Sequence, residues 1–234
     1  MKGTLFLIPT LLGDSPIENV IPTYNIEIVR NLNIFIVEEL KSARHFLKKA
    51  GYPRPFDSAE FSVLNEHTPS TEISELLNPL RNGLSVGLLS EAGLPCVADP
   101  GASLVSICHL EKIKVIPLSG PSSLFLALMA SGFNGQQFVF HGYLPIEPKD
   151  KIRKIKDMET SVLKNKQTQI FIEAPYRNKK LLQFLAETCR PDTLICVASM
   201  ITTTEESITT LPAFVWRKKI PEIDKKPVVF LIGI

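Results

Sequence analysis

The sequence contains no C-x-x-C pair. Cys96, Cys108, Cys189 and Cys196 are scattered, and no histidine stands at a spacing that would complete a zinc site with them. Four reduced thiols and no metal are the reading, as expected of a cytoplasmic protein. No G-x-G-x-x-G follows a strand and no G-x-x-x-x-G-K-[ST] occurs, so the usual phosphate cradles of dinucleotide and P-loop nucleotide binding are missing. Gly83-Leu84-Ser85-Val86-Gly87 fits a nucleophile-elbow pattern, but the strand-forming residues follow its serine instead of preceding it, which removes the geometry. Excess charge of one sign is also lacking: 26 Lys and Arg against 24 Asp and Glu leave +2. That is too little to hold nucleic acid by bulk electrostatics alone. The first apolar run, residues 5–8, stops at Pro9 and is too short for a signal segment or a membrane span. Low-complexity tracts and repeats at solenoid spacing are absent.

What is present is an apolar content of 44% over 234 residues, enough for two small cores. Short β-rich runs at residues 5–8, 34–37, 84–89, 114–117, 137–140, 169–172, 193–198 and 227–232 alternate with helix-forming stretches. The helices are expected at 39–50, 70–81, 102–110, 122–131, 150–163 and 178–189. Such alternation argues for parallel α/β architecture. Residues 117–120 are the natural division, giving domains 1–118 and 119–234. The stretch 124–130 is apolar at every position, so burial over most of its circumference is expected. Lys149, Lys151, Arg153, Lys154 and Lys156, mixed with Glu147, Asp150 and Asp157, read as a solvated helix face.

Two segments carry candidate chemistry. From Leu88 to Gly101 an apolar strand runs into a loop whose Gly93, Pro95, Pro100 and Gly101 restrict the backbone and can hold Glu91 and Asp99 at the strand's carboxyl end. Open α/β sheets bind small molecules there. In Gly120-Pro121-Ser122-Ser123 a tight turn precedes a helix N-terminus, either as a plain cap by Ser122 or as free N–H groups facing a ligand.

A further set of residues occurs in one order: Pro9-Thr10 with Gly13, Glu38-Glu39 after a strand, Asn65-Glu66-His67, the Ser90 to Gly101 loop, Gly120-Pro121-Ser122, Ala130-Ser131-Gly132, Phe140 with Gly142-Tyr143-Leu144-Pro145, and Glu173-Ala174-Pro175-Tyr176-Arg177. Together they resemble the tetrapyrrole-methylase-fold methyltransferases, and within them the ribosomal RNA small-subunit methyltransferase I branch. The resemblance implies two α/β domains with an S-adenosylmethionine cleft between them, a homodimer, and methyl transfer to a ribose 2′-oxygen of ribosomal RNA in the small subunit. It implies cofactor contacts at Leu12, Glu91, Leu94, Ser122, Ser123 and Ala198, with residues 226–227 closing the site. Where the branch carries Glu-Asp-Thr-Arg, this chain has Glu38-Glu39-Leu40-Lys41. A sulfonium donor brings its own leaving group, so no nucleophilic triad is needed. A ribose hydroxyl does need a proton acceptor, for which Glu39, Glu66 and His67 are the candidates. Three readings stay open: an RNA methyltransferase presenting Lys41, Arg44, Lys48, Lys49 and Arg177 as a basic surface, a methyltransferase of a small acceptor such as a tetrapyrrole, and a cofactor-binding regulator without turnover.

Overall fold

A computed structural model of the chain describes residues 1–65 and 67–234. They divide into two units, Met1–Ser122 and Ser123–Ile234, slightly beyond the division expected at 118. The Leu118 N–H still donates to the Leu7 carbonyl at 3.0 Å. Gly120 lies so close to Pro9 that a Cβ would stand 2.2 Å from the proline Cβ. Both contacts bind residues 118–122 to the first unit.

The first unit has strands β1 (Thr4–Ile8), β2 (Ile34–Val37), β3 (Glu60–Val63), β4 (Val86–Leu89) and β5 (Lys114–Pro117), and helices α1 (Thr23–Asn31), α2 (Leu40–Lys49), α3 (Ser70–Ile73), α4 (Asn78–Arg81) and α5 (Gly101–Leu110). The strands order as β3-β2-β4-β1-β5, with every pair parallel. Strands covered on both faces read as continuous apolar runs, as Ile34-Phe35-Ile36-Val37 does. Alternate side chains sort the packing: Ile8, Phe35, Val37 and Leu89 share a core with Val29 of α1 and Phe46 and Leu47 of α2. Leu5, Ile34, Ile36, Val86 and Leu88 share another with Leu77, Leu80 of α4 and Leu104 of α5. β4 therefore hands its chain to the face opposite to that taken by both its neighbours, β1 and β2. Such a switch point opens a crevice at the carboxyl ends of the strands.

The second unit has strands β6 (Phe138–Tyr143), β7 (Thr168–Ile172), β8 (Leu194–Ser199), β9 (Ser207–Pro212) and β10 (Val228–Gly233), and helices α6 (Ser123–Ser131), α7 (Pro148–Asn165), α8 (Asn178–Thr188) and α9 (Ala213–Trp216). Its order is β6-β7-β10-β8-β9. Here the expectation of parallel strands is corrected: β6 and β7 run parallel, whereas β7–β10, β10–β8 and β8–β9 are antiparallel. A turn at 200–206 joins β8 to β9, and a connection that short cannot carry the chain back for a parallel pair. Ile155, Met158 and Val162 of α7 and Leu181, Leu182 and Leu185 of α8 surround the stacked rings of Phe171 and Phe230, 5.9 Å apart.

Other expectations are refined. α6 buries Ala127 and Leu128, yet Phe125 and Met129 are 50% and 78% exposed, so its circumference is not covered as its composition suggested. The helix expected over 70–81 is two short helices separated by a turn at 75–77, because Pro79 in the first turn of α4 has no N–H to continue an earlier helix. α1, α9, β3 and β9 were not anticipated. The Lys149–Lys156 run lies on α7, whose buried stripe is Ile155, Met158, Glu159 and Val162, leaving the cations outward.

Gly87 tests the packing under β4. An added Cβ would meet Ile8 Cδ1 at 2.6 Å and the Phe35 ring at 3.1 Å, whereas nothing lies within 4 Å of a Cβ at Gly135. Gly87→Ala is expected to cost about 1–3 kcal/mol in chemical denaturation, by overpacking, and Gly135→Ala to change stability little.

Candidate active site

Five loops leave the carboxyl edge of the first sheet, one after each strand, and hydrogen bonds tie those after β1 and β2 to the one after β4. The Thr10 N–H donates to the Gly93 carbonyl at 2.9 Å. The buried Thr10 and Ser90 hydroxyls donate to the Ser90 carbonyl, 3.4 Å, and the Gly93 carbonyl, 3.1 Å. Glu38, the first residue beyond β2, accepts the Glu91 N–H on its carboxylate at 2.9 Å. Gly93 is the residue on which the loops meet. Its φ is +76°, and a Cβ there would stand 3.0 Å from Leu12 Cδ2 and 3.5 Å from the Pro121 carbonyl oxygen. The left-handed φ favours glycine, and a side chain would in addition press Leu12 aside.

Beyond Gly93 the loop is held by its own carboxylate. Asp99 Oδ1 accepts the N–H groups of Cys96, at 2.9 Å, and Gly101, at 2.7 Å, which spans a stretch where Cys96 and Ala98 take left-handed φ values of 67° and 60°. Burial raises the Asp99 carboxyl above its usual range, against the lowering effect of the two N–H groups. Burial likewise pushes the Cys96 thiol up to about 12, leaving it a poor nucleophile. Asp99 thus shapes the loop from within. Next to it a cavity of about 440 Å³ is lined by Leu7, Leu94, Pro95, Val97, Pro117, Leu118, Ser119 and Gly120.

Of the residues expected at a cofactor, the first unit brings Leu12, Glu91 and Leu94 to this edge, and Ser122 ends the segment leaving β5. Glu91 is exposed, Leu12 and Leu94 are half-buried, and Ser122 is buried. Ser123 opens α6 and belongs to the second unit. Ala198 is buried in β8, between Ile208 of β9 and Val229 of β10. It stands one residue from an edge of the second sheet where Ser199 pairs with Val228 and Ser207, and Ile172 with Val229 and Tyr143. Lys226 lies there, its Nζ 2.8 Å from Glu205. Asn178 anchors that corner through its amide, donated to the Lys226 carbonyl at 2.7 Å.

The same edge holds Ser199 Oγ, Thr202 Oγ1 and Asn178 Oδ1, all buried with no hydrogen bond among the described residues, whereas Arg177 Nε faces Glu173 Oε1 at 3.6 Å in an ion pair. Buried polar atoms without partners are costly, and several in one place fit a ligand carrying polar groups of its own.

The three candidate proton acceptors fare differently. Glu39 is the N-cap of α2, accepting the N–H groups of Lys41 at 2.9 Å and Ser42 at 2.6 Å. Those two donors hold its carboxyl below the usual range, so acting as a base would mean giving up the cap. Glu66 lies outside the described residues. His67 is exposed on the loop after β3, its backbone N–H donated to Asn65 Oδ1 at 2.9 Å. Glu38, which the sequence offers only as part of the family motif and without a role, is the residue that holds the Glu91 loop.

Against known proteins, the model of the family described as Tetrapyrrole (Corrin/Porphyrin) Methylases matches residues 25–214. The chain belongs to this family. Tetrapyrrole methylases transfer methyl groups, so this chain is a methyltransferase. It is 31% identical to the ribosomal RNA small subunit methyltransferase I of Vibrio cholerae over 208 residues, 89% of this chain and 68% of that protein. It is also 31% identical to the protein of that name from Thermotoga maritima over 185 residues, 79% of this chain and 78% of the relative. The chain thus spans about two thirds of the length of the Vibrio relative. Among solved structures, the methyltransferase CobJ aligns with a TM-score of 0.66 at 18% identity, over 100% of this chain and 94% of CobJ. The cobalt precorrin-4 methyltransferase CbiF aligns at 0.60 and 15%, over 98% and 94%. These structural likenesses establish the tetrapyrrole methylase fold, two α/β units with the architecture described above.

Two carboxylates test the site's construction. Asp99→Ala leaves two N–H groups without an acceptor and is expected to cost about 1–3 kcal/mol, while Asp99→Asn keeps an acceptor and is tolerated. Because the folded-state pKa of Asp99 is raised, its protonated form favours folding. That contribution is full below the ordinary carboxylate range and lost as pH rises through the raised value. Thermal melting from pH 3 to 7 should therefore show Asp99→Asn gaining on the parent as pH rises. Glu39→Ala should lower the melting temperature by uncapping α2, and Glu39→Ser should restore most of it.

Proposed function

We propose that this chain binds S-adenosylmethionine and transfers its methyl group to a ribose 2′-oxygen of small-subunit ribosomal RNA. The observation that carries the cofactor half is the Gly93 cradle, where the loops after β1 and β4 meet at the switch point of a parallel sheet. Curated relatives at about 30% identity, named ribosomal RNA small subunit methyltransferase I, support the acceptor half. When bound, the cofactor supplies an electrophilic methyl group with its own leaving group; what the chain must add is orientation, exclusion of water and a path for one proton.

Leu12 and Leu94 give the cofactor apolar contact. Glu91 offers an exposed carboxylate whose backbone Glu38 holds. Ser122 presents its hydroxyl and N–H at the end of the segment leaving β5; in the second unit the candidates are Ser123, at the start of α6, and Ala198 with residues 226–227. Proton removal from the acceptor hydroxyl falls to His67, on the loop at the carboxyl end of β3, and to Glu66, with Glu39 capping α2. The enzyme works in the cytoplasm as a homodimer. Exposed Phe125 and Met129 of α6 and Phe138 of β6, with Phe125 and Phe138 in edge-to-face contact at 5.8 Å, are apolar surface that a second copy would cover.

Calorimetric titration with S-adenosylmethionine and its demethylated product is expected to show micromolar binding, strongly weakened by Glu91→Ala. Unmethylated small ribosomal subunits should then accept methyl groups, and His67→Ala should lower the transfer rate without changing cofactor affinity. Tight cofactor binding with transfer only to small acceptors would overturn the RNA assignment. Binding with transfer to nothing would leave a regulator.

A further inference from the structure

We infer that the outer face of α2 is the surface on which this enzyme docks the phosphate backbone of its RNA acceptor. The inference rests on the RNA reading above and adds to it a place and three residues, Lys41, Arg44 and Lys48. Their spacing of three and four residues sets them in one stripe on the helix. All three are exposed, while Ala43, Phe46 and Leu47 face the core. At 1.5 Å per residue the stripe is about 10 Å long, which covers about three nucleotide steps of a strand at about 3.4 Å each.

The other cations of the first unit show why these three stand apart. Lys2 and Arg81 pair with Glu111, the latter at 2.5 Å. Lys49, next to the stripe, is held by Asp14 and by the Ser15 carbonyl. Arg30 donates to the Ala50 carbonyl at 2.9 Å, and Arg54 to the Arg30 and Leu32 carbonyls at 2.8 and 2.6 Å. Among the described residues Lys41, Arg44 and Lys48 make no ion pair. Arg44 lies 5.7 Å from the Phe61 ring of β3, which steadies the guanidinium without neutralising it. Lys112 and Lys114 also lack ion pairs, but they sit where β5 begins, at the end of the sheet remote from the loops of the site.

Helix stability does not account for the whole stripe. Lys48 in the last turn suits the helix dipole, but Lys41 stands in the first turn, where positive charge is unfavourable and the exposed Glu39 cap offsets only part of the cost. The first turn also begins two residues beyond Glu38, whose carboxylate holds the Glu91 loop. A strand lying along α2 would thus reach the carboxyl edge of the sheet, where the methyl donor is proposed to bind. With a net charge of only +2, the chain needs its phosphate contacts concentrated in this way.

Binding of an unmodified small-subunit ribosomal RNA transcript, followed by fluorescence anisotropy at several salt concentrations, tests this. The parent is compared with K41Q/R44Q/K48Q and with K112Q/K114Q as the charge control. The triple variant should bind about tenfold or more weakly, and its salt slope should be shallower by about 2–3, one unit or slightly less per lost phosphate contact. S-adenosylmethionine affinity and melting temperature should be unchanged, and the control should bind as the parent does. A parent that binds RNA alongside a triple variant of equal affinity and slope overturns the assignment of α2 and leaves the RNA reading intact. Equal weakening by both variants overturns it too, since net charge alone would explain the result. A parent with no RNA affinity at low salt overturns both. A defect confined to assembled subunits and absent on the transcript would place a ribosomal protein, not RNA, against α2 and overturn the inference.

Discussion

Everything proposed for this chain depends on the hydrogen bonds that fasten the loops after β1 and β2 to the loop after β4. Thr10 donates its N–H to Gly93, and Glu38 accepts that of Glu91, at 2.9 Å in each case. Loops at a switch point diverge to opposite faces of the sheet and would otherwise move independently. Here the backbone of residues 90–93 is anchored on both sides, and Leu12 packs close enough to Gly93 that a Cβ there would press on it at 3.0 Å. Preorganisation of this kind is what a methyl-transfer site needs, because the reaction asks the protein for position more than for a nucleophile.

The same economy explains the carboxylates. Glu38, Glu39 and Asp99 all lie near the carboxyl edge, and the structure commits each to backbone N–H groups: one bridges two loops, one caps α2, one shapes the turn before α5. Among the described residues Glu91 has only its backbone so engaged, and its carboxylate is exposed beside the cradle. An acidic residue near a site is thus more often part of its scaffold than of its chemistry.

Much of this was legible in the sequence because it is written locally. The apolar runs of β1, β2, β4 and β5 are bounded by Gly, Pro and charge, and Gly93, Pro95, Pro100 and Gly101 mark the loop after β4. β3 and β9 escaped notice because both are sheet-edge strands with half-exposed faces, whose Glu60 and Thr209-Thr210 break the apolar pattern. α1 escaped because Pro22 precedes a stretch with only two buried residues, Asn25 and Val29. The antiparallel pairing of β8 with β9 follows from the turn at 200–206, which no periodicity encodes. Glu39 reads as a candidate base because glutamate is an uncommon cap, and the role of Glu38 is not legible because Glu91, whose N–H it accepts, is 53 positions away.

The most direct test of the central claim is amide hydrogen exchange with and without S-adenosylmethionine. The switch-point account expects the cofactor to slow exchange across residues 9–13 and 90–101, with the Thr10 and Glu91 amides among the most affected, and to leave residues 111–115 at the far end of the sheet unchanged. Saturable binding that leaves both loops exchanging at their free rates would contradict it.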